Sequence, residues 1–345
     1  MHVTSAPIKL SPMMQQANRL PTVDDVISAA AQIAGVAVRT PLLASPKLDE
    51  ITGGRIFLKP EPLQRTGSFK FRGAYNRISR IPADQRAGGV VACSSGNHAQ
   101  GVAAAATLMG MRSVIVMPND APAMKRARTM AFGGEVVDYD RETDDRDAIA
   151  GKIAQERGAV FVPPYDDFYI IAGQGTVGLE IAQDLAALDL VPDYVIANAS
   201  GGGLVSGIAL AVKASFPDAH ILTAEPAGFD DHARSFRSGG RERNNRSSGS
   251  ICDALLAATP GQLTFQISSQ IVGEGVSATD AEVERAVAFA FEELKLVVEP
   301  GGAVALAAVL AGRLDLKGKV AAIVLSGGNV DGAMFARCLE AGKAA

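Results

Sequence analysis

The chain has 345 residues, 48% hydrophobic and 20% charged, which excludes a disordered chain, supplies a large core and favours two domains. Its net charge of −4 gives no global field to hold a polyanion, so no nucleic-acid partner is expected. The longest strongly apolar stretches, such as Ala303–Ala311, are too short to span a bilayer, so no membrane association is expected. The N-terminus has no long apolar run, and no signal peptide is read there. Three widely spaced cysteines, Cys93, Cys252 and Cys338, fit reduced thiols in a cytoplasmic protein. The 4 histidines show no metal-ligand spacing.

Residues 1 to about 20 read as a loose or partner-dependent arm. Beyond them, short β-branched, apolar runs predict strands at Arg55–Lys59, Gly89–Cys93, Ser113–Met117, Glu135–Tyr139, Ala159–Val162, Asp193–Ala199, His220–Glu225 and Val320–Leu325. Helical patterns fill the gaps, at roughly 23–34, 67–79, 97–110, 121–132, 144–157, 174–188, 204–215, 279–294, 301–312 and 331–341. This alternation, with 36 glycines and 5% aromatics, predicts an α/β fold built on parallel sheet. The Arg- and Ser-rich stretch Arg237–Ser250 reads as a solvated surface loop, with an anion-binding flap as the alternative.

Open parallel sheets bind ligands at the carboxyl ends of their strands, and three such ends carry unusual residues. In VVACSSGNHAQG a strand runs into Ser94, Ser95, Asn97 and His98 and then a helix; two hydroxyls, an amide and free N–H groups suit a carboxylate, although a simple helix cap uses the same residue types. In VIANASGGGLVSG, Gly201, Gly202 and Gly203 let successive N–H groups converge on a phosphate, or else they form a flexible turn. The loop lacks the Lys-Ser/Thr of a Walker motif. In VAAIVLSGGNV, Ser326 at the strand end can bond a ring nitrogen, or it is an ordinary turn residue. The GxGxxG formed by Gly173, Gly175 and Gly178 follows PPYDDFYIIA rather than a strand, and Asp193 starts the next strand instead of ending it, so a dehydrogenase is not expected.

Lys70 lies between Phe69 and Phe71. Apolar flanks desolvate an ammonium and free a neutral amine for a carbonyl, although such a lysine on its own is more often a snorkelling surface residue. An amine for an aldehyde, a phosphate loop and a ring-nitrogen donor together describe pyridoxal phosphate, with the serine-rich turn left for an amino acid.

The motifs RTGSFKFRGA, SSGNHAQG, SGGGLVSG, VVEPGGA and LSGGNVD resemble those of the fold-type II pyridoxal-phosphate enzymes, in the threonine/serine dehydratase and serine racemase group; the likeness runs from about Thr40 to Asp331. It implies a two-domain, tryptophan synthase β-like fold, with a large cofactor domain from 1–87 and 166–345 and a small domain at 88–165. Lys70 is then the Schiff-base lysine and base, Phe69 lies against the cofactor ring, Asn97 bonds the ring hydroxyl, Gly201, Gly202, Gly203 and the Leu204 amide hold the phosphate, and Ser326 meets the pyridine nitrogen. Ser94, Ser95, Asn97 and His98 bind the substrate carboxylate, and the small domain closes over it. The implied reaction is β-elimination from threonine or serine to a 2-oxo acid and ammonia, with serine racemase and 3-hydroxyaspartate dehydratase as alternatives.

Ser95, where many threonine dehydratases of the group have Ala, resembles the serine racemases and hydroxyaspartate dehydratases. Arg146 matches an arginine near the substrate in that branch, or it is a surface arginine among acids. Ser200 replaces the first glycine of a four-glycine loop, adding a hydroxyl contact to phosphate or tightening the loop. Glu225, the Phe229 carbonyl and Asp231 match ligands of a structural Mg²⁺, Ca²⁺ or Mn²⁺. A homo-oligomer, dimer or tetramer, is expected. The chain ends soon after LSGGNVD, so feedback through a C-terminal regulatory domain is not expected.

Overall fold

The computed structural model describes residues 19–121, 123–140 and 142–343; the expected arm lies almost wholly outside the described residues. In chain order the elements begin with α1 (Val23–Ile33), β1 (Leu43–Ala44), α2 (Pro46–Thr52), β2 (Arg55–Pro60), α3 (Lys70–Ser79), β3 (Val90–Cys93), α4 (Asn97–Leu108), β4 (Ser113–Pro118) and α5 (Ala123–Ala131). They continue with β5 (Gly134–Tyr139), α6 (Arg146–Arg157), β6 (Val160–Phe161), α7 (Phe168–Ala187), β7 (Tyr194–Asn198), α8 (Gly203–Ser215), β8 (His220–Pro226) and α9 (Asp231–Ser238). The last are α10 (Gln262–Ile271), β9 (Glu274–Ala278), α11 (Asp280–Glu292), α12 (Pro300–Leu310), β10 (Val320–Leu325) and α13 (Gly332–Lys343).

The strands form a six-stranded sheet, β1-β2-β10-β7-β8-β9, and a four-stranded sheet, β5-β4-β3-β6. Every pairing is parallel except β1 with β2. Alternation sorts each strand's side chains onto two faces. From β10, Ala321, Ile323 and Leu325 join one core with α11 and α12, while Ala322 and Val324 join another with α7 and α8. In the small sheet, Ala92 and Ile115 pack with α3 and α4, and Val91 and Val116 face α6. Helix α12, PGGAVALAAVL, is apolar all round and almost wholly buried, as such a helix must be. No helix among the described residues is long and apolar enough to cross a membrane.

All eight predicted strands form. The α7 boundary differs from expectation. The helix expected from about residue 174 starts earlier, at Phe168 within PPYDDFYIIA, where Asp167 caps it, accepting from the N–H groups of Tyr169 and Ile170 at 2.9 and 3.0 Å. The GxGxxG therefore lies inside α7, where its glycines permit close helix contact. A Cβ on Gly173 would sit 2.6 Å from Cα of Gly73 in α3, and one on Gly175 would sit 2.8 Å from the Gly207 carbonyl in α8. Strands β1 and β9 and helices α2, α9 and α10 were not anticipated.

Candidate active site

The segment before α3 is tied to the end of β10. Ser68 bridges Gly327, the Phe69 N–H donates to the Ser326 carbonyl (3.2 Å), and the Gly328 N–H donates to the Gly67 carbonyl (2.9 Å). Thr66 adopts φ 65°, turning the chain so that α3 begins at Lys70. Lys70 Nζ donates to the Pro164 carbonyl at 2.7 Å and lies 5.1 Å from the Phe69 ring centroid. Burial pushes this amine down to about 8, with no carboxylate to oppose it. His98 is pushed down to about 3, first by burial and then by the charge of Lys70, so it is neutral. Its Nε2 meets the Val162 carbonyl at 2.9 Å, an acceptor only, so Nε2 carries the proton and the unpartnered Nδ1 is an acceptor.

Between β7 and α8 the carbonyls of the glycine loop are drawn to one side. Thr264 Oγ1 (2.6 Å) and the Gly261 N–H (3.1 Å) both donate to the Gly201 carbonyl, and His232 Nε2 lies 2.6 Å from the Ser200 carbonyl. Among the described residues the N–H groups of Gly201, Gly202, Gly203 and Leu204 meet no acceptor, and they open the N-terminus of α8. Side chains are sterically barred here: a Cβ on Gly201 would enter the Tyr165 ring, and one on Gly202, at φ 92°, would sit 2.7 Å from His232 Cε1. Ser200 Oγ accepts from the Ala257 N–H at 3.1 Å, so its hydroxyl anchors the crossing loop behind the cradle.

Ser326 is buried at the end of β10, and its Oγ accepts from Asn198 Nδ2 at 3.0 Å. Its own proton is thereby left to donate elsewhere. At the end of β3, Ser94 Oγ accepts from the Gly96 N–H (3.2 Å), and Ser94 and Ser95 are half-buried. Asn97 opens α4, and Asn97 Nδ2 donates to Glu299 Oε1 at 2.6 Å. The orphaned N–H cradle, the free hydroxyl proton of Ser326 and the low amine of Lys70 fit the phosphate, ring nitrogen and aldehyde of pyridoxal phosphate.

Residues 33–327 match the model of the family described as pyridoxal-phosphate dependent enzyme. The chain belongs to this family. Pyridoxal phosphate is accordingly its cofactor. The chain is 41% identical to an L-threonine ammonia-lyase of Thermotoga maritima, over 93% of this chain and 79% of that protein. It is 42% identical to an L-threo-3-hydroxyaspartate ammonia-lyase of a Pseudomonas species, over 93% and 99%. The solved maize serine racemase superposes with a TM-score of 0.87 at 37% identity, over 93% and 98%.

Beside the site of this family member lies a cavity of about 240 Å³, lined by Cys93, Arg146, Tyr165 and Arg241 among others. Arg146 is the first residue of α6, and the Cys93 thiol meets its carbonyl at 3.4 Å. Arg241 belongs to the Arg-rich stretch, and its Nε donates to the Pro260 carbonyl at 2.8 Å. Thus one arginine of that stretch faces the cavity while the rest of it is mostly exposed.

At the end of β8, Glu225 accepts from the N–H groups of His232 and Ala233 (2.8 and 2.9 Å), capping α9. Asp231 Oδ1 accepts from Asn244 (2.7 Å), while its buried Oδ2 has no partner. Burial, then the charge of Asp231, pushes Glu225 well above the usual carboxylate range, and burial pushes Asp231 up to about 6. Phe229 is buried between them. Two coupled carboxylates with an unspent oxygen fit a hard cation, although among the described residues no three His, Cys, Asp or Glu side chains gather.

Several residues that serve the site were missed. Pro164 accepts from Lys70, Tyr165 backs Gly201, Asn198 holds Ser326, and Glu299 and Asn329 hold Asn97. The PPYDD segment carried a signal in its two aspartates: Asp166 caps α10, accepting from the Leu263 N–H at 2.8 Å, while Asp167 caps α7.

Proposed function

We propose that the chain is an ammonia-lyase that converts L-threonine or L-serine to a 2-oxo acid and ammonia. The observation that carries this reading is the desolvated Lys70 amine set among the Ser326 turn, the N–H cradle and the serine-rich turn. When bound, pyridoxal phosphate supplies an electron sink that acidifies the substrate's Cα–H. Lys70 would hold the cofactor and would take the substrate's Cα proton at Nζ. The N–H groups of Gly201, Gly202, Gly203 and Leu204 would grip the phosphate, Phe69 would lie against the ring, and Asn97 would meet the ring oxygen. Ser326 would donate to the ring nitrogen, and a hydroxyl, unlike a carboxylate, would not hold that nitrogen as a cation. Ser94, Ser95, Asn97 and His98 hold the substrate carboxylate at the start of α4, His98 through its backbone because its ring is engaged with Val162. The β-hydroxyl leaves as water, its departure balanced by the proton taken from Cα at Lys70 Nζ, and the enamine takes up water to give the 2-oxo acid and ammonia.

Two observations favour further substrates of the same site. Ser95 matches the serine that the racemase group carries at this place, and the two arginines at the cavity suit a second carboxylate, as in 3-hydroxyaspartate. Assay of 2-oxo acid release from threonine, serine and L-threo-3-hydroxyaspartate, with chiral analysis of unreacted serine, separates these activities. No 2-oxo acid from any of them would sink the lyase.

The same proposal includes a Mg²⁺-class cation at Glu225, the Phe229 carbonyl and Asp231, supported by the orphaned carboxylate oxygen. It takes 88–165 as a small domain that closes over the substrate carboxylate, within a large domain of 1–87 and 166–345. Identical scattering profiles with and without substrate would count against closure. Three free, buried cysteines support a cytoplasmic location. Assembly as a dimer or tetramer, checked by sedimentation, completes the reading.

A further inference from the structure

Asn97 sits in a chain of side-chain hydrogen bonds whose direction is set from its ends. Arg128, on α5, can only donate, so the amide oxygen of Asn329 faces it. The amide nitrogen of Asn329 then donates to the Thr66 carbonyl at 2.8 Å and to Asn97 Oδ1 at 2.7 Å, which uses both its hydrogens. With its oxygen so turned, Asn97 presents its nitrogen to Glu299 Oε1 at 2.6 Å, and one N–H of Asn97 stays unspent.

Glu299 is buried immediately before α12, and its N–H donates to the Gly327 carbonyl at 3.0 Å, one residue beyond Ser326. It forms no ion pair among the described residues. The charges that face it are Lys125 on α5 and Asp253, which pair with each other across the two sheets' layers, and the Cys252 thiol lies nearby. Burial pushes Glu299 up to about 7, Asp253 adds to the rise, and Lys125 and Asn97 oppose it. Such a carboxyl is no anchor for a cation. Its geometric output is the orientation of Asn97.

We propose that Glu299 is a positioning residue: with Asn329 and Arg128 it fixes the Asn97 amide so that one N–H is reserved for the cofactor's ring oxygen, coupling that contact to the seating of α5. This rests on the reading of Asn97 as the ring-oxygen partner, and the test separates the two. The readouts are the ratio of the cofactor's near-ultraviolet and visible bands, which reports proton sharing at the ring oxygen, and the dissociation constant for pyridoxal phosphate. Glu299→Met keeps the length and removes the acceptor; it should shift the band ratio and weaken cofactor retention about tenfold, the scale of one misdirected hydrogen bond. Glu299→Gln keeps an acceptor oxygen and should stay near the wild-type ratio. Asn97→Ala should shift the ratio, and Glu299→Met in that background should add nothing further. Arg128→Ala, on an exposed residue, acts on the same chain from outside and should shift the ratio in the same direction even if Glu299→Met does not fold. A wild-type ratio in Asn97→Ala overturns both readings. A shifted Asn97→Ala beside an unshifted Glu299→Met, a Glu299→Gln as altered as Glu299→Met, or an unshifted Arg128→Ala overturns the role of Glu299 alone.

Discussion

Two residues beyond Lys70, Arg72 is fully buried, as is Glu61, one of the two carboxylates it holds, while the other, Glu180, is nearly so. Its Nε and Nη2 donate to Glu61 at 2.8 Å each, and its Nη1 and Nη2 donate to Glu180 at 2.6 and 2.9 Å. Lys59 closes the cluster with Glu180 at 2.7 Å, so two cations balance two anions. Arg72→Met leaves both carboxylates buried against one ammonium. Breaking a buried pair from one side costs about 3–5 kcal/mol. Unfolding entropy near ~2.1 cal/mol/K per residue, over 345 residues, gives about 0.7 kcal/mol/K, so Tm should fall by about 4–7 °C. The pH dependence should change sign. In the wild type, burial raises Glu180, but Arg72 and Lys59 outweigh it and hold the carboxyl below its usual value. That contribution is present above the unfolded pKa and fades as pH falls through the folded one. In the variant, burial outweighs what Lys59 alone supplies and Glu180 is raised, so its cost is relieved by protonation and the deficit should narrow between pH 7 and about pH 5. Calorimetry of both proteins at saturating cofactor measures this. A variant melting within about 1 °C of wild type, or an equal deficit at both pH values, would refute the reasoning.

The pH dependence of cofactor capture by cofactor-free protein should report Lys70: the neutral amine is the nucleophile, so the rate should rise with pH and level off above about 8, and Lys70→Ala should abolish both capture and turnover. A midpoint near the ordinary lysine value would contradict the desolvated setting. Gly201→Ala should force Tyr165 off the glycine loop, weaken cofactor affinity at least tenfold and lower Tm by overpacking of about 1–3 kcal/mol; an unchanged affinity would disconnect the loop from the phosphate. Added Mg²⁺ should raise Tm and chelator should lower it, and Asp231→Asn should remove this response; identical melts with metal and chelator would rule out the cation at Glu225 and Asp231.

The buried strands were legible because each is a short apolar run with nothing polar to hide. Strand β9, Glu-Gly-Val-Ser-Ala, was not, because it is a half-buried edge strand whose polar and small residues carry no apolar signal. The first turn of α7 was obscured by the prolines and aspartates of PPYDD, of which Asp167 caps this helix and Asp166 caps α10. At the site, the residues standing at strand ends, Ser94, Gly201 and Ser326, announced themselves by type and place. Asn198, Glu299 and Asn329 did not, since their partners lie 128, 202 and 232 residues away along the chain and only the closed fold pairs them. Cys93, a bland apolar residue in the sequence, turns out to line the cavity beside Arg146.

Helix α7 touches α3 backbone to backbone at Gly173 and α8 in the same way at Gly175. The first contact lies about one turn along α3 from Lys70, and the second about one turn along α8 from the glycine loop. One rigid rod thus acts as a caliper whose jaws are two glycine pairs, and the span from the nucleophilic nitrogen to the phosphate grip is gauged by that rod rather than by either loop. A single methyl on a jaw would alter the gauge without touching any atom a ligand meets, so loss of fit there would masquerade as a defect in chemistry.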